Sequence, residues 1–97
     1  MNLTNLHLDG FSKQIKAFIE TITGMPLQIV DSPEKWMLVI GSKDPISFGY
    51  NKHKRGNLDK KQLEYMTYVN MLQGIQSLLT TPDKFVQWKN RETTAKN

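Results

Sequence analysis

The chain has 97 residues, no cysteine and a formal net charge of +4, a composition typical of one small basic domain. A core of this size is too small for a two-lobed enzyme, and the lack of cysteine excludes disulfides, thiolate catalysis and cysteine-ligated metals. The first eleven residues lack a basic start followed by an apolar run, so no secretory signal is predicted and we expect a cytoplasmic protein.

The first predicted element is an amphipathic helix. Apolar residues recur at helical spacing over Phe11–Ile22 and therefore share one stripe. Asp9 is placed to cap the start of this helix, and Gly24 supplies a left-handed exit at its end. Residues 1–8 are expected to be a flexible end.

Three short strands are predicted next. They cover Leu27–Val30, Trp36–Ile40 and Ile46–Tyr50, and turn-forming residues separate them. The third strand alternates apolar and polar residues, as a half-buried antiparallel strand does, whereas the second is apolar on both faces. This pattern favours an antiparallel meander with the second strand in the centre. No apolar run is long enough to span a membrane, so no membrane partner is expected.

Two helices complete the predicted fold. A long helix covers about Asp59–Thr80, with Asp59 as its cap and apolar residues over half of its circumference. A short helix then starts with Thr81 as cap, and residues 90–97, which are almost devoid of apolar side chains, are expected to be a second flexible end. The predicted class is α+β in the order α-β-β-β-α-α, as a single domain over residues 1–97.

The positive charge is concentrated in residues 52–61, which we call the basic segment. Five of the 13 Lys and Arg residues and one of the nine acidic residues lie there, so this segment accounts for the whole net charge. A cluster of cations at the start of a helix favours a phosphate, and a nucleic-acid backbone offers many. The candidate contacts are Lys52, Lys54, Arg55, Lys60 and Lys61, with Tyr50 as a stacking platform for a base.

The basic segment also allows interpretations other than nucleic-acid binding. Asp59, as a cap, would occupy the helix amides that an anion could use, so side chains would have to hold a phosphate. His53 is expected to be an exposed loop residue without a role, and Tyr50 also fits a core position. An acidic protein surface as the partner, or simple solvation of the loop, are alternatives to nucleic acid.

The element order, together with the lysine pair Lys60 and Lys61 at the start of the last long helix, resembles the double-stranded-RNA-binding domain. The similarity in layout covers about Phe11–Leu79. In that family the lysine pair clamps phosphates across the groove, so the resemblance implies phosphate contact by this pair. The sequence departs from the family immediately afterwards, where Leu63 and Glu64 replace an Ala-Lys pair, and only the role of the lysine pair is carried over.

The long helix has an unusual lack of charge, with no charged residue between Tyr65 and Pro82. We call its side opposite the apolar arc the uncharged face, with the members Leu63, Met66, Asn70, Gln73 and Ser77. Charge depletion and an exposed methionine are typical of protein interfaces. The face is therefore either a partner or homodimer interface, or a surface covered within the monomer.

No catalytic, metal or cofactor motif is visible in the sequence. The two histidines are far apart, and the glycines match neither known spacing of a phosphate-binding loop, so an enzyme is not expected. The predicted function is a small accessory protein that contacts the RNA or DNA phosphate backbone through the basic segment. The alternative is a protein-binding adaptor or inhibitor from a phage or mobile element, which uses the basic segment and the uncharged face.

Overall fold

The computed structural model describes residues 3–94 and confirms the α+β fold in the order α-β-β-β-α-α. A short 3₁₀ turn at Lys52–Lys54 connects the last strand to the second helix. The elements are α1 (Leu3–Thr23), β1 (Leu27–Asp31), β2 (Lys35–Ile40), β3 (Ile46–Asn51), α2 (Lys60–Leu79) and α3 (Pro82–Thr94). None of the described helices is long and apolar enough to cross a membrane.

The three strands form an antiparallel sheet in the order β1-β2-β3, so β2 is the central strand as predicted. The register places Leu38 of β2 between Ile29 of β1 and Phe48 of β3. This face of the sheet packs on the helices. The opposite face carries Met37, which is half-buried, and Val30, which is 45% exposed.

The core lies between the helices and the inner face of the sheet. Buried side chains from all three helices and from two strands meet there, because the helical stripes and the alternation along β2 place apolar groups on facing surfaces. Its members are Ile19, Leu27, Trp36, Leu38, Ile40, Tyr68, Met71, Ile75 and Trp88.

The start of α1 differs from the prediction. The helix begins at Leu3 and continues through Asp9 and Gly10, so Asp9 does not cap it; its carboxylate instead pairs with Lys61 of α2 at 3.3 Å. A glycine inside a helix costs about 1 kcal/mol relative to alanine, which packing of α1 along α2 offsets. The end of α1 is as predicted, because Gly24 has a left-handed backbone with φ +70°.

The last turn of α3 is anchored on the β2–β3 loop. The carboxylate of Glu92 accepts the backbone N–H groups of Ser42 at 2.8 Å, Lys43 at 3.0 Å and Asp44. The sequence predicts a flexible end from residue 90, whereas the structure continues α3 to Thr94. Polar bonds, which the hydrophobic pattern does not reveal, hold this turn in place.

Two further side chains of α3 fix the same loop. The indole N–H of Trp88 donates to the carbonyl oxygen of Asp44 at 2.7 Å, and Arg91 pairs with the Asp44 carboxylate at 2.7 Å. Residues 1–2 and 95–97 lie outside the described residues, so flexibility of the ends stays a prediction.

Candidate nucleic-acid interface

The backbone of the basic segment is folded compactly at the end of β3. The side-chain oxygen of Asn51 accepts the N–H of His53 at 2.8 Å, which starts the 3₁₀ turn. Gly56 follows with φ +63°, and the N–H of Leu58 donates to the carbonyl oxygen of Arg55 at 3.2 Å. These bonds direct several side chains of the segment toward one place.

Four of the six candidate residues are brought together in one depression. It has a volume of about 250 Å³, and its lining residues are Tyr50, Lys52, His53, Arg55 and Lys60. Lys54 lines a neighbouring depression of about 380 Å³, which Tyr50 also borders and to which Lys35 contributes. Tyr50 therefore borders both basic depressions.

Two of the five cations are held by acidic partners. Lys52 forms a hydrogen-bonded ion pair with Asp31 of β1, and Lys61 pairs with Asp9 of α1. The hydrogen bond from Lys52, helped by the positive charges of Lys52 and Lys60, holds the pKa of Asp31 below its usual value. The other three cations of the basic segment form no ion pair with any described residue; they are Lys54, Arg55 and Lys60.

Tyr50 is half-buried and is positioned by the sheet. Its ring stacks on Trp36 of the adjacent strand, with 5.9 Å between the ring centroids and 29° between the planes. Burial, with a smaller contribution from Glu64, raises the pKa of Tyr50 above its usual value, so the side chain is a neutral phenol at neutral pH. Tyr50 therefore packs against the core and also borders the depressions, and its role as a stacking platform for a base stays a prediction.

The amino terminus of α2 differs from the expectation in one respect. Asp59 occupies the cap position, with an extended backbone at φ −69° and ψ 139°, but its side chain makes no capping hydrogen bond. The competition that we expected between Asp59 and a bound anion is absent from this geometry. The positive end of α2 and the side chain of Lys60 thus lie together at the edge of the depression.

The structure places His53 at the depression, whereas Lys61 does not line it. His53 was expected to have no role, yet it lines the depression, because the 3₁₀ turn places it beside Lys52 and Arg55. The signal in the sequence is Asn51, because the side-chain oxygen of an asparagine often accepts the backbone N–H two residues further along the chain and so starts a turn. Lys61 points instead toward α1, where Asp9 neutralises it.

The structure divides the members of the uncharged face. Leu63 is buried within the monomer and belongs to the packed side of α2, whereas Met66 is 49% exposed. The remaining members, Asn70, Gln73 and Ser77, are exposed. The α1 helix lies alongside, since the rings of Phe11 and Tyr65 are 6.3 Å apart.

Comparison of the chain with models of protein families, with curated proteins and with solved structures found no match. The resemblance to the double-stranded-RNA-binding domain therefore rests on element order and on the pair Lys60 and Lys61 alone. Among residues 3–94, no group of three His, Asp or Glu side chains is arranged to hold a metal ion.

Proposed function

We propose that this protein binds the phosphate backbone of a nucleic acid at the depression beside Tyr50. The observation that carries this proposal is the convergence of Lys52, His53, Arg55 and Lys60 on one small concave surface. A phosphate in that depression lies within reach of one guanidinium group and of the amino terminus of α2. Both features favour the negatively charged oxygen atoms of a phosphate group.

The energy of binding comes mainly from counterion release. Three cations of the basic segment form no ion pair with a described residue, so we expect them to neutralise about three phosphates of a bound backbone. The logarithm of the binding constant should then fall with the logarithm of salt concentration with a slope of about −2 to −3. Arg55 adds a bidentate hydrogen bond that lysine cannot make, because its guanidinium presents two parallel N–H groups.

The two depressions suggest a path for the bound strand. Arg55 and Lys60 line one side of Tyr50, and Lys54 lines the other. Successive phosphates can occupy the two sides while a base packs against the phenol ring. Such stacking is tolerant of sequence, so we expect affinity for single strands without base preference.

The experiment is a fluorescence anisotropy titration with a labelled 20-nucleotide single strand and with the corresponding duplex, at several salt concentrations. The test variant carries Lys54→Ala and Lys60→Ala. Its matched control carries Lys43→Ala and Lys84→Ala, which remove the same charge from exposed positions outside the basic segment. We expect the test variant to lose about tenfold or more in affinity and to have a flatter salt slope, and the control to lose much less. Equal losses in both variants, or no binding at low salt, would contradict the proposal.

A second candidate function is protein binding through the uncharged face. The specific observation is that Met66 of α2 and Phe18 of α1 are each 49% exposed on neighbouring helices. Exposed apolar side chains amid uncharged polar ones are typical of an interface that forms between copies of a chain or with another protein. Light scattering tests this: a dimer that Met66→Glu with Gln73→Lys abolishes supports it, and a monomer of unchanged mass in both proteins refutes self-association.

A further inference from the structure

The outer edge of β1 has backbone groups that no strand pairs. Since the sheet order is β1-β2-β3, β1 has a neighbour on one side only. The backbone N–H of Leu27 donates to the Glu20 carboxylate at 2.7 Å, so this N–H points away from β2. The N–H of Ser32 donates to the carbonyl oxygen of Lys35 at 2.9 Å and therefore points toward β2. Backbone groups alternate along an antiparallel strand. The N–H and carbonyl groups of Ile29 therefore point outward from the sheet.

A groove runs beside this edge, between α1 and the inner face of the sheet. Its volume is about 310 Å³, and its apolar lining comes from Ile29, Trp36 and Tyr68. Ile29 is 49% exposed although it lies on the inner face, because α1 leaves the edge of the sheet uncovered there. The polar lining residues are Asp9, Ser12, Lys13, Lys16, Lys61 and Glu64.

The wall of the groove formed by α1 carries two lysines, Lys13 and Lys16, and one acid, Asp9, which pairs with Lys61 of α2. Lys13 makes no ion pair with any described residue, and Lys16 has only a loose contact of 3.7 Å with Glu20. The carboxylate of Glu20 is itself engaged by the Leu27 amide, which weakens its hold on Lys16. On the α2 side, Glu64 forms no ion pair with a described residue, and it lies across the groove from α1.

We infer that the edge of β1 and this groove bind an extended segment of a partner protein as a fourth strand. Main-chain hydrogen bonds to Ile29 supply affinity, as in other cases of strand addition. Alternate side chains of the segment enter the groove, where an apolar one packs on Ile29 and Trp36 and acidic ones lie near Lys13 and Lys16. The partner segment is thus extended, with apolar and acidic residues alternating on the side that faces the groove.

The charges favour such a segment over a second copy of the chain. Two β1 strands that pair about a twofold axis would place both α1 helices on the same side of the joined sheet. Each groove would then receive the other copy's Lys13 and Lys16, and like charges oppose that approach. β1 itself contains neither Lys nor Pro, which are residues that protect an edge strand from pairing.

The experiment uses ¹⁵N-labelled protein and a defined probe, acetyl-Thr-Glu-Thr-Val-Thr-Glu-Thr-amide, in which Glu, Val and Glu share one face. We expect saturable shifts of the amide signals of Ile29 and Asp31 and slower exchange of both protons. A second probe with Lys in place of Glu should bind about tenfold more weakly or worse. No shift at β1 with about 1 mM probe, or equal binding of both probes, overturns the inference.

Two variants make the test specific. Ile29→Pro removes the outward N–H without removing a bond to β2, and it should abolish saturable binding. If that variant does not fold, Lys13→Glu with Lys16→Glu should reverse the preference between the two probes, while Lys43→Glu with Lys84→Glu should leave it unchanged. If the preference for the Glu probe remains after Lys13 and Lys16 are changed to Glu, the binding is non-specific and this site is refuted. If the β1 amide signals shift with protein concentration in the absence of probe, a second copy of the chain occupies the edge instead.

This inference is independent of nucleic-acid binding. Lys54→Ala with Lys60→Ala should leave the affinity for the peptide probe unchanged, because neither residue lines the groove. Failure of one proposal would therefore not entail failure of the other.

Discussion

Glu92 is the side chain whose removal should most clearly test how the end of α3 is held. Its carboxylate accepts three consecutive backbone N–H groups of the β2–β3 loop, from Ser42 to Asp44. Glu92→Gln keeps the size of the side chain but removes the charge and replaces one acceptor oxygen with an NH₂ group. The NH₂ group is itself a donor and cannot accept a backbone N–H, so at least one of the three hydrogen bonds is lost. The remaining bonds weaken because the acceptor no longer carries a charge.

The expected loss of stability follows from the number and exposure of these bonds. A hydrogen bond to a charged group contributes roughly 1.5–3 kcal/mol when it is buried. This loop is exposed, so water can replace much of what is lost, and we expect a net loss of about 1–2 kcal/mol in the free energy of unfolding. For a domain of about this size, such a loss lowers Tm by roughly 5–15 °C.

The effect should also depend on pH. Burial acts to raise the pKa of Glu92, but the three backbone N–H donors outweigh it and hold that pKa below the usual value of 4.5. A carboxyl with a lowered pKa stabilises the folded state fully above its unfolded pKa and loses that contribution as pH falls through the folded pKa. The difference in stability between the native protein and Glu92→Gln should therefore be full at neutral pH and shrink below about pH 4.5.

Urea unfolding, followed by the fluorescence of the buried Trp36 and Trp88, measures both quantities. The matched control is Glu34→Gln, since the Glu34 side chain is exposed in the β1–β2 turn and forms no bond or ion pair in the described chain. If Glu92→Gln unfolds at the same urea concentration as Glu34→Gln at pH 7, the three bonds contribute nothing. If Glu92→Gln loses as much free energy of unfolding at pH 3 as at pH 7, the charge of the carboxylate is not the source of the stabilisation.

Further predictions concern helix glycines and the basic segment. Gly10→Ala should raise the free energy of unfolding by about 0.5–1 kcal/mol, because the added Cβ meets nothing within 4 Å and alanine favours the helix. Gly74→Ala should lower the free energy of unfolding by about 1–3 kcal/mol, because its Cβ would lie 2.6 Å from the ring of Phe48. Urea unfolding of both variants measures these changes, and a change of the same sign in both would refute the packing described. Asp31→Asn should tighten binding to the labelled single strand by about twofold to fivefold, because it releases Lys52 from its acidic partner; unchanged or weaker binding in anisotropy titrations would contradict this. Tyr50→Ala should weaken that binding more than Tyr50→Phe, which keeps the ring and loses only the hydroxyl; equal effects would argue against stacking.

The order of elements could be predicted because each has a strong local signal. Helical spacing marks Phe11–Ile22, alternation marks β3, and turn residues separate the strands, so tertiary structure had little to override. The early start of α1 at Leu3 was missed because Asp9 is also a good cap residue. The structure resolves this ambiguity, since Lys61 of α2 offers Asp9 a partner within a longer helix.

Features that depend on distant partners could not be predicted. The turn around Glu92 looks like a polar tail in sequence, because its bonds join residues about fifty positions apart. The angle of Leu63 on the helix predicts a place on the uncharged face, yet the buried side of α2 includes both Leu63 and Thr67. Likewise, the sequence located the positive charge correctly but could not show that Asp31 and Asp9 neutralise part of it.

The contact between Glu92 and the β2–β3 loop makes three amide protons reporters of events at the other end of the chain. These protons exchange with solvent only when their acceptor is withdrawn, and the acceptor lies in the last turn of α3. Fraying of that turn leaves Trp88 in the core, whereas detachment of the whole helix exposes it. Fast exchange at Ser42 with slow exchange of the Trp88 indole N–H, which donates to the Asp44 carbonyl oxygen, would identify the first event. The free energy of each opening could be measured separately in the native protein.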